Sequence, residues 1–410
     1  MPEQTMRQGS LTKTGRTTME DVKIGIIGMG GRGRGWINTC GLTPNCRVTA
    51  LCDATRPLLE QGLERADDPD VRAFDDYDEM LAEADIDAVA VIVEPKGLAD
   101  LTIRALEAGK HAICEVPLCY SMEDLWRMVL AVERTGLKFQ LAEQVAWAPF
   151  VFAWRDMVAN GELGKILFAE GQYFHGMPDH VLYQDSVTGR KMGREEARNN
   201  PKAVRSRYCD LGDPIMYHTH DLSPLLRALD DRVETVFCMG TRRGSYYHEE
   251  VDGSDLQVAL MHTEKDTVIR LAAGFSFPTA KPAHWYHLVG TGGSVETARV
   301  GASCLGQPGK WWLADHFMPT REPAEWNYTE WQPAPPEAAA TGHGGTDFYP
   351  LTNFISSITA DTEPFNNIYR AAEVQAPGIL AAVSAQSGQP VQVPEFRPSE
   401  SRPAGSPPPQ

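Results

Sequence analysis

Short β-branched and apolar runs alternate with amphipathic stretches through the first third of the chain. Val22–Ile27, Val48–Cys52, Ala88–Val93, His111–Cys114 and Lys138–Ala142 predict strands. Ala88-Val-Ala-Val-Ile-Val93 is apolar at every position, as a strand covered on both faces must be. Leu98–Ala108 predicts a helix stopped by Gly109. Ser121-Met-Glu-Asp124 is a capping box that opens a helix through Val132 and Glu133. Strands and helices alternating through short loops predict a parallel, doubly wound sheet over residues 21–148.

The pattern changes near residue 149. Phe150–Asn160 predicts a helix and Gly161-Glu-Leu-Gly164 a turn. Strands then dominate, at Ile166–Tyr173, Val233–Met239, Leu256–His262, Val268–Phe277 and His284–Val289. Thr291-Gly-Gly-Ser294 reads as a hairpin turn. Helical stretches follow at Asp347–Ile358 and Tyr369–Ser387. The expected class is α/β: a doubly wound parallel sheet, then an α/β domain over 149–395 with a large, mostly antiparallel open sheet. Pro178 to Asp213 is irregular and charged, a functional loop or an insertion. Its Arg190, Lys191, Arg194, Arg205 and Arg207 could meet an anionic sugar; a solvated loop is the expectation. The polar residues 1–20 and the Pro- and Ser-rich residues 396–410 predict disordered tails.

The 410 residues carry a formal net charge of −17, which argues against nucleic acid as a partner. No run has the apolar length of a membrane span. Residues 1–20 lack the apolar core of a secretory signal. The eight cysteines form no C-x-x-C pair. Reduced, buried thiols and a cytoplasmic protein are expected.

Candidate chemistry starts at Lys23-Ile-Gly-Ile-Ile-Gly28-Met29-Gly30-Gly31-Arg32-Gly33. A strand runs into clustered glycines, a helix follows, and a second strand ends in Asp53. That order is the one a dinucleotide-binding Rossmann unit requires. The glycines make the turn and admit the pyrophosphate to the helix N-terminus. Asp53 stands where a carboxylate accepts from the ribose hydroxyls of NAD. The site is expected between the domains, at the carboxyl ends of the parallel strands. Glu94 and Pro95, Glu115-Val116-Pro117 and Glu143 follow three of those strands. Tyr173 and His175 end the first strand of the second domain. Tyr217-His-Thr-His220 predicts the opening of a helix, with Tyr217 and His220 one turn apart. Gly342-His343-Gly-Gly-Thr-Asp347 precedes another. His218 and His220 have the spacing of two zinc ligands, but nothing supplies a third, and no metal is expected. A histidine near its ordinary pKa is a natural base for a sugar hydroxyl.

Taken together, Gly-Met-Gly-Gly-Arg-Gly33, Glu115-Val-Pro117, Tyr-His-Thr-His220 and Gly-His-Gly-Gly-Thr-Asp347 resemble the Gfo/Idh/MocA oxidoreductase family. The resemblance runs from about Val22 to Pro394 and is nearest to glycoside hydrolase family 109 and related NAD-dependent glycosidases. Val116 stands where most dehydrogenases of the family carry a lysine, which favours the glycosidase branch. Asp221-Leu-Ser stands where family 109 usually has Gly-Leu-Gly, and family 109 members often carry export signals. The resemblance implies catalytic roles for Glu143, Tyr173, Tyr217 and His220. It implies cofactor contacts from Gly28 to Gly33 and at Asp53, Glu94, Pro95, Glu115, Val116, Pro117 and Glu143. His175, His343 and Asp347 are the substrate-binding candidates.

The route it implies is oxidation at C3, loss of the aglycone from C1 after removal of the C2 proton, addition of water, and re-reduction. His220 with Tyr217 would accept the hydroxyl proton, and Tyr173 would be the base at C2. No glycosidase carboxylate pair is needed. A sugar or cyclitol dehydrogenase and a non-catalytic NAD and sugar sensor are the alternatives. By resemblance, a homo-oligomer, dimer or tetramer, is expected.

Overall fold

The computed structural model describes residues 21–210, 212–279, 283–299, 309–314, 322–327, 334–400 and 402–406. The 1–20 tail and the Arg207 side chain lie outside the described part. Six strands form the first sheet: β1 (Val22–Ile27), β2 (Cys46–Cys52), β3 (Arg72–Phe74), β4 (Ala88–Val91), β5 (His111–Cys114) and β6 (Phe139–Leu141). Their order is β3-β2-β1-β4-β5-β6, and every pair is parallel. β3 has no apolar pattern to reveal it, because Arg72 and Ala73 are exposed. β4 stops at Val91, where the chain turns into a helix entered through Glu94 and Pro95.

Both faces of this sheet are covered, partly by chain that is distant in sequence. One face packs on Trp36, Ile37 and Cys40 of helix Gly31–Leu42, and on Leu351, Phe354 and Ile355 of helix Phe348–Thr359. The other packs on helices Pro95–Glu107 and Met122–Thr135, and on Ile368, Ala372, Ala376 and Ile379 of helix Ile368–Ser387. The last helix also sends Val374, Leu380 and Ala381 into the second core. It is therefore the joint between the two sheets, although its sequence position groups it with the second domain.

The remaining strands are β7 (Ile166–Phe174), β8 (Tyr183–Asp185), β9 (Lys191–Met192), β10 (Ala203–Arg205), β11 (Val233–Gly240), β12 (Gln257–Thr263), β13 (Val268–Gly274), β14 (His284–Gly290), β15 (Gly293–Glu296), β16 (Gly309–Leu313), β17 (Ala324–Trp326) and β18 (Val391–Gln392). Nine of them build a sheet in the order β17-β16-β15-β14-β7-β13-β12-β11-β18. Neighbours are antiparallel except β7 and β13. Helices Pro149–Ala159 and Thr219–Leu229 bury one face through Phe150, Trp154, Leu222 and Leu225. Leu260 and Val268 on β12 and β13 are exposed. Among the described residues no helix is long and apolar enough to cross a membrane.

Two expectations need correction. The charged segment Pro178 to Asp213 is not an irregular loop. β10-β8-β9 form a small sheet there, closed over Met177, Leu182, Cys209, Val251 and Phe275. Three of its arginines are paired: Arg194 with Glu250 at 2.6 Å, Arg205 with Asp252 at 3.3 Å, and Arg190 with Glu196. The C-terminal segment is not a disordered tail over 396–400 and 402–406. Phe396 is buried against Trp126, with ring centroids 4.8 Å apart. Arg402 pairs with Glu133 at 2.8 Å, the two side chains 4% and 1% exposed. Proline-rich composition removes periodicity, yet Phe396 and Arg402 dock the segment on helix Met122–Thr135, and Arg397 ties it to Glu373 at 2.8 Å. Phe396→Ala is expected to lower stability by about 3–5 kcal/mol, read as the shift in urea midpoint at unchanged m value.

Candidate active site

The nucleotide end is built by glycines that have no room for a side chain on one side and open space on the other. Gly28 has φ +95, and a Cβ there would lie 2.1 Å from the Ile92 carbonyl oxygen. A Cβ on Gly33 would lie 1.7 Å from the Gly28 oxygen. Around Gly30 and Gly31 nothing lies within 4 Å of an added Cβ. The turn is thus closed against its own strand and open at the first amides of helix Gly31–Leu42, a cradle that fits a pyrophosphate. Asp53 is held beside it, its carboxylate accepting from the N–H of Met29 and of Thr55, both at 2.7 Å.

Arg32 leaves this turn and gathers three of the other candidates. Its Nε donates to Glu115 at 2.5 Å, and its terminal nitrogens reach both oxygens of Asp347. Trp36 donates to the same Glu115 oxygen at 2.7 Å, and His343 Nδ1 lies 2.9 Å from Asp347. Burial opposes ionisation of Asp347, but His343 and Arg32 outweigh it and hold the carboxyl near about 2. Asp347 therefore pairs with the cofactor-side arginine, and His343 joins that group through Asp347. Glu94 stands at the N-cap position of the following helix and is exposed, while Pro95 and Val116 are buried.

The second group forms where β6, β7, β14 and helix Thr219–Leu229 meet. Glu143 is fully buried, and its Oε2 lies 2.7 Å from His220 Nδ1. Its other oxygen accepts from Val145 N–H at 2.7 Å. Tyr173 meets the His220 ring edge to face at 5.6 Å, and Tyr217 lies 6.2 Å from it. Phe275 floors the pair, 4.9 Å from Tyr173 and 5.5 Å from Tyr217. His175 sits 5.8 Å from Tyr173. Burial works against a charged His220, yet Glu143, then Asp221 and Glu115, prevail and raise its pKa. His218 faces the other way. It is fully buried, pushed down to about 3 by that burial, and packed so tightly on Gly378 that a Cβ there would lie 2.2 Å from its Nδ1.

Residues 22–143 match the family model described as "Oxidoreductase family, NAD-binding Rossmann fold", and residues 150–401 match "Glycosyl hydrolase 109, C-terminal domain". The chain belongs to the glycosyl hydrolase 109 family. A family 109 protein of Porphyromonas gingivalis is 27% identical, covering 92% of this chain and 85% of its own length. One from Streptomyces coelicolor is 26% identical, covering 92% and 83%. In fold, the chain is similar to an oxidoreductase domain protein from Kribbella flavida, at TM-score 0.74 and 19% identity over 92% of this chain and 100% of that one. It is also similar to a Lactobacillus casei scyllo-inositol dehydrogenase with bound NAD(H) and scyllo-inositol, at TM-score 0.66 and 18% identity over 91% and 99%.

Three side chains of this family 109 member join the site without a sequence signal. Gln375, on the jointing helix, accepts from Leu118 N–H at 3.0 Å and donates to the Met216 carbonyl at 3.3 Å. It thereby ties the segment after Pro117 to the residue before Tyr217. His284 starts β14 opposite Tyr173. Only the strand register could have announced it. Arg227 lies two helical turns beyond His220 and donates to the Ala146 carbonyl at 3.0 Å. Its guanidinium rests 3.8 Å from Phe365, 4.1 Å from Trp147 and 4.6 Å from Phe152. Among the described residues no carboxylate pairs with it. Burial, then Arg155 and Arg370, push it down to about 9. One helix thus holds Glu143 through His220 and clamps the turn after Glu143 through Arg227. Arg227→Met is expected to lower kcat about 10–100-fold while the Kd for NAD stays within threefold. Steady-state kinetics and cofactor titration would separate the two.

Proposed function

We propose that this chain is an NAD-dependent, redox-neutral glycosidase acting on a sugar glycoside. The observation that carries the reading is the buried Glu143–His220 contact at 2.7 Å with Tyr173 beside it. Bound NAD supplies the hydride acceptor for C3 and the hydride for its later re-reduction. The cradle from Gly28 to Gly33, with Asp53, Glu115 and Pro117 around it, would hold that group.

The protein's part is proton transfer and position. Glu143 faces Nδ1 of His220, so the ring keeps its proton there and presents Nε2 as an acceptor. Nε2 takes the proton of the C3 hydroxyl, and the Glu143 carboxylate stabilises the imidazolium that results. Once C3 is a ketone, the C2 proton is acidic. Tyr173 removes it, the C–H electron pair becomes the C1–C2 double bond, and the aglycone leaves C1 with its bonding pair. Water then adds at C1. Val116 brings no second base to the C3 oxygen, which leaves that task to His220 and Tyr217. His175, 5.8 Å from the Tyr173 ring, would contact the sugar. The open face of the nine-stranded sheet would support a homodimer or tetramer, which light scattering after gel filtration measures directly.

The deciding experiment supplies aryl glycosides to purified protein, with and without added NAD⁺. It follows aglycone release together with NADH absorbance. Release without net NADH, with solvent deuterium at C2 of the product, is the expected result. Net NADH without bond cleavage would replace this reading with a sugar or cyclitol dehydrogenase. Binding with neither reaction would leave a sensor.

A further inference from the structure

Tyr173 is an awkward base as the chain builds it. It is half-buried, and that burial, then Tyr217, Asp221 and Glu143, all push its hydroxyl pKa upward. A phenol so placed needs a nearby cation before it can give up its proton near neutrality. His220 is already engaged with Glu143 and the C3 hydroxyl, and Glu115-Val-Pro117 brings no cation.

The neighbouring strand supplies one. β14 runs antiparallel to β7, with His284 directly opposite Tyr173. The two rings stack at 4.1 Å with planes 20° apart. Beneath them, Gly171 leaves the space that Asp221 fills: a Cβ on Gly171 would lie 3.1 Å from the Asp221 Cβ. Asp221 is 1% exposed, its Oδ1 is 3.3 Å from His284 Nδ1, and among the described residues its Oδ2 has no hydrogen-bond partner; burial raises the pKa of its carboxyl and His284 opposes that rise. The Tyr286 hydroxyl lies 3.3 Å from the same Nδ1 and donates its proton to the His220 carbonyl at 2.7 Å. Both groups at Nδ1 are therefore acceptors. Nδ1 thus carries a hydrogen. The His284 side chain is 15% exposed. The titratable groups around the ring are Tyr173 and His175 from β7 and its end, His220 and Asp221 from the helix, and Tyr286 from its own strand. Glu143 lies behind His220. Asp221 is the carboxylate in direct contact.

We propose that the Asp221–His284 pair is a positioning and electrostatic device for the C2 step, in which His284, held charged by Asp221, stabilises the phenolate of Tyr173 through the ring stack. This deepens the proposed function and rests on it. The step is balanced: Tyr173 Oη takes the C2 proton, the C–H pair forms the C1–C2 bond, and the aglycone takes the C1–O pair.

The test compares His284→Gln, Asp221→Asn and Tyr173→Phe on a turned-over glycoside labelled at C2. Tritium release from C2 and the first-turnover rate of C3 oxidation are measured across pH. Without the cation Tyr173 ionises less readily, so His284→Gln should slow C2 exchange about 10²-fold. The midpoint of the pH profile should move to higher pH, and C3 oxidation should stay within threefold. Asp221→Asn should move the midpoint in the same direction by less. Unchanged C2 exchange in His284→Gln, or an equal fall in both half-reactions, would overturn the proposal. If Tyr173→Phe keeps full C2 exchange, the assignment of Tyr173 as base has failed first, which is a different result. Should His284→Gln not fold, His284→Phe keeps the stack without the charge and carries the same expectations.

Discussion

Replacing His220 by glutamine lowers kcat by about 10²–10⁴-fold and leaves NAD affinity near that of the parent. In the proposed mechanism the ring is the acceptor for the hydroxyl proton, and glutamine keeps polarity and approximate size without a titrating nitrogen. The cofactor cradle lies on the glycine turn and is untouched by the change. The pH profile gives the sharper check. Nε2 accepts a proton only in the neutral ring, so kcat/KM falls as pH drops through the His220 pKa. Burial alone would lower that pKa, and Glu143 beside the ring raises it instead. Glu143→Gln removes the charge and lets burial dominate. The acid limb should then move to lower pH while the plateau drops, because the imidazolium formed during the reaction has lost its counter-charge. A Glu143→Gln profile with an unmoved or alkaline-shifted acid limb would sink the assignment of this pair.

Gly33→Ala is expected to abolish NAD binding and to lower the melting temperature by many degrees. The added methyl would sit 1.7 Å from the Gly28 oxygen and 2.9 Å from its carbonyl carbon. Both are backbone atoms of the turn and cannot swing aside as a side chain can. Overpacking commonly costs about 1–3 kcal/mol, and a clash with backbone lies at or beyond the upper end. Relief comes only by moving helix Gly31–Leu42 off β1, which also withdraws the amides that receive the pyrophosphate. Gly35→Ala is the matched control. It lies on the same helix with nothing within 4 Å of an added Cβ. There the better helix propensity of alanine should stabilise by up to about 1 kcal/mol. Calorimetric titration with NAD⁺ and thermal melts of the two variants decide the matter. Equal NAD affinity in both would show that the glycine turn does not bear the cofactor.

The residues legible in advance share a property: their chemistry is announced by neighbours in sequence. Gly28 to Gly33 and Asp53 follow from one strand–turn–helix unit, because close approach of backbone to phosphate is a local demand. Glu143, Tyr173, Tyr217 and His220 were each visible as polar residues at the ends of apolar elements. The 2.7 Å contact between Glu143 and His220 was not, since no periodicity relates positions so far apart. Arg32 illustrates the same limit. Its place in the turn was plain, but its grip on Glu115 depends on the segment after β5, and its grip on Asp347 on a helix from the far end of the chain.

Local pattern thus determined the two kinds of sheet, most strand positions and the cofactor turn, because backbone hydrogen bonding and the burial of one face act over a few residues. The tertiary structure alone decided that helix Ile368–Ser387 joins both cores and that the segment around Phe396 docks on helix Met122–Thr135. It alone placed Gln375, Arg227 and His284 at the site. Gln375 meets its partners where one sheet packs on the other, Arg227 where its helix packs on the turn after Glu143, and His284 through the register of β14 on β7. Side-chain hydrogen bonds and ring stacks act over a few ångströms in space, and the spacing of residues along the chain carries no record of them.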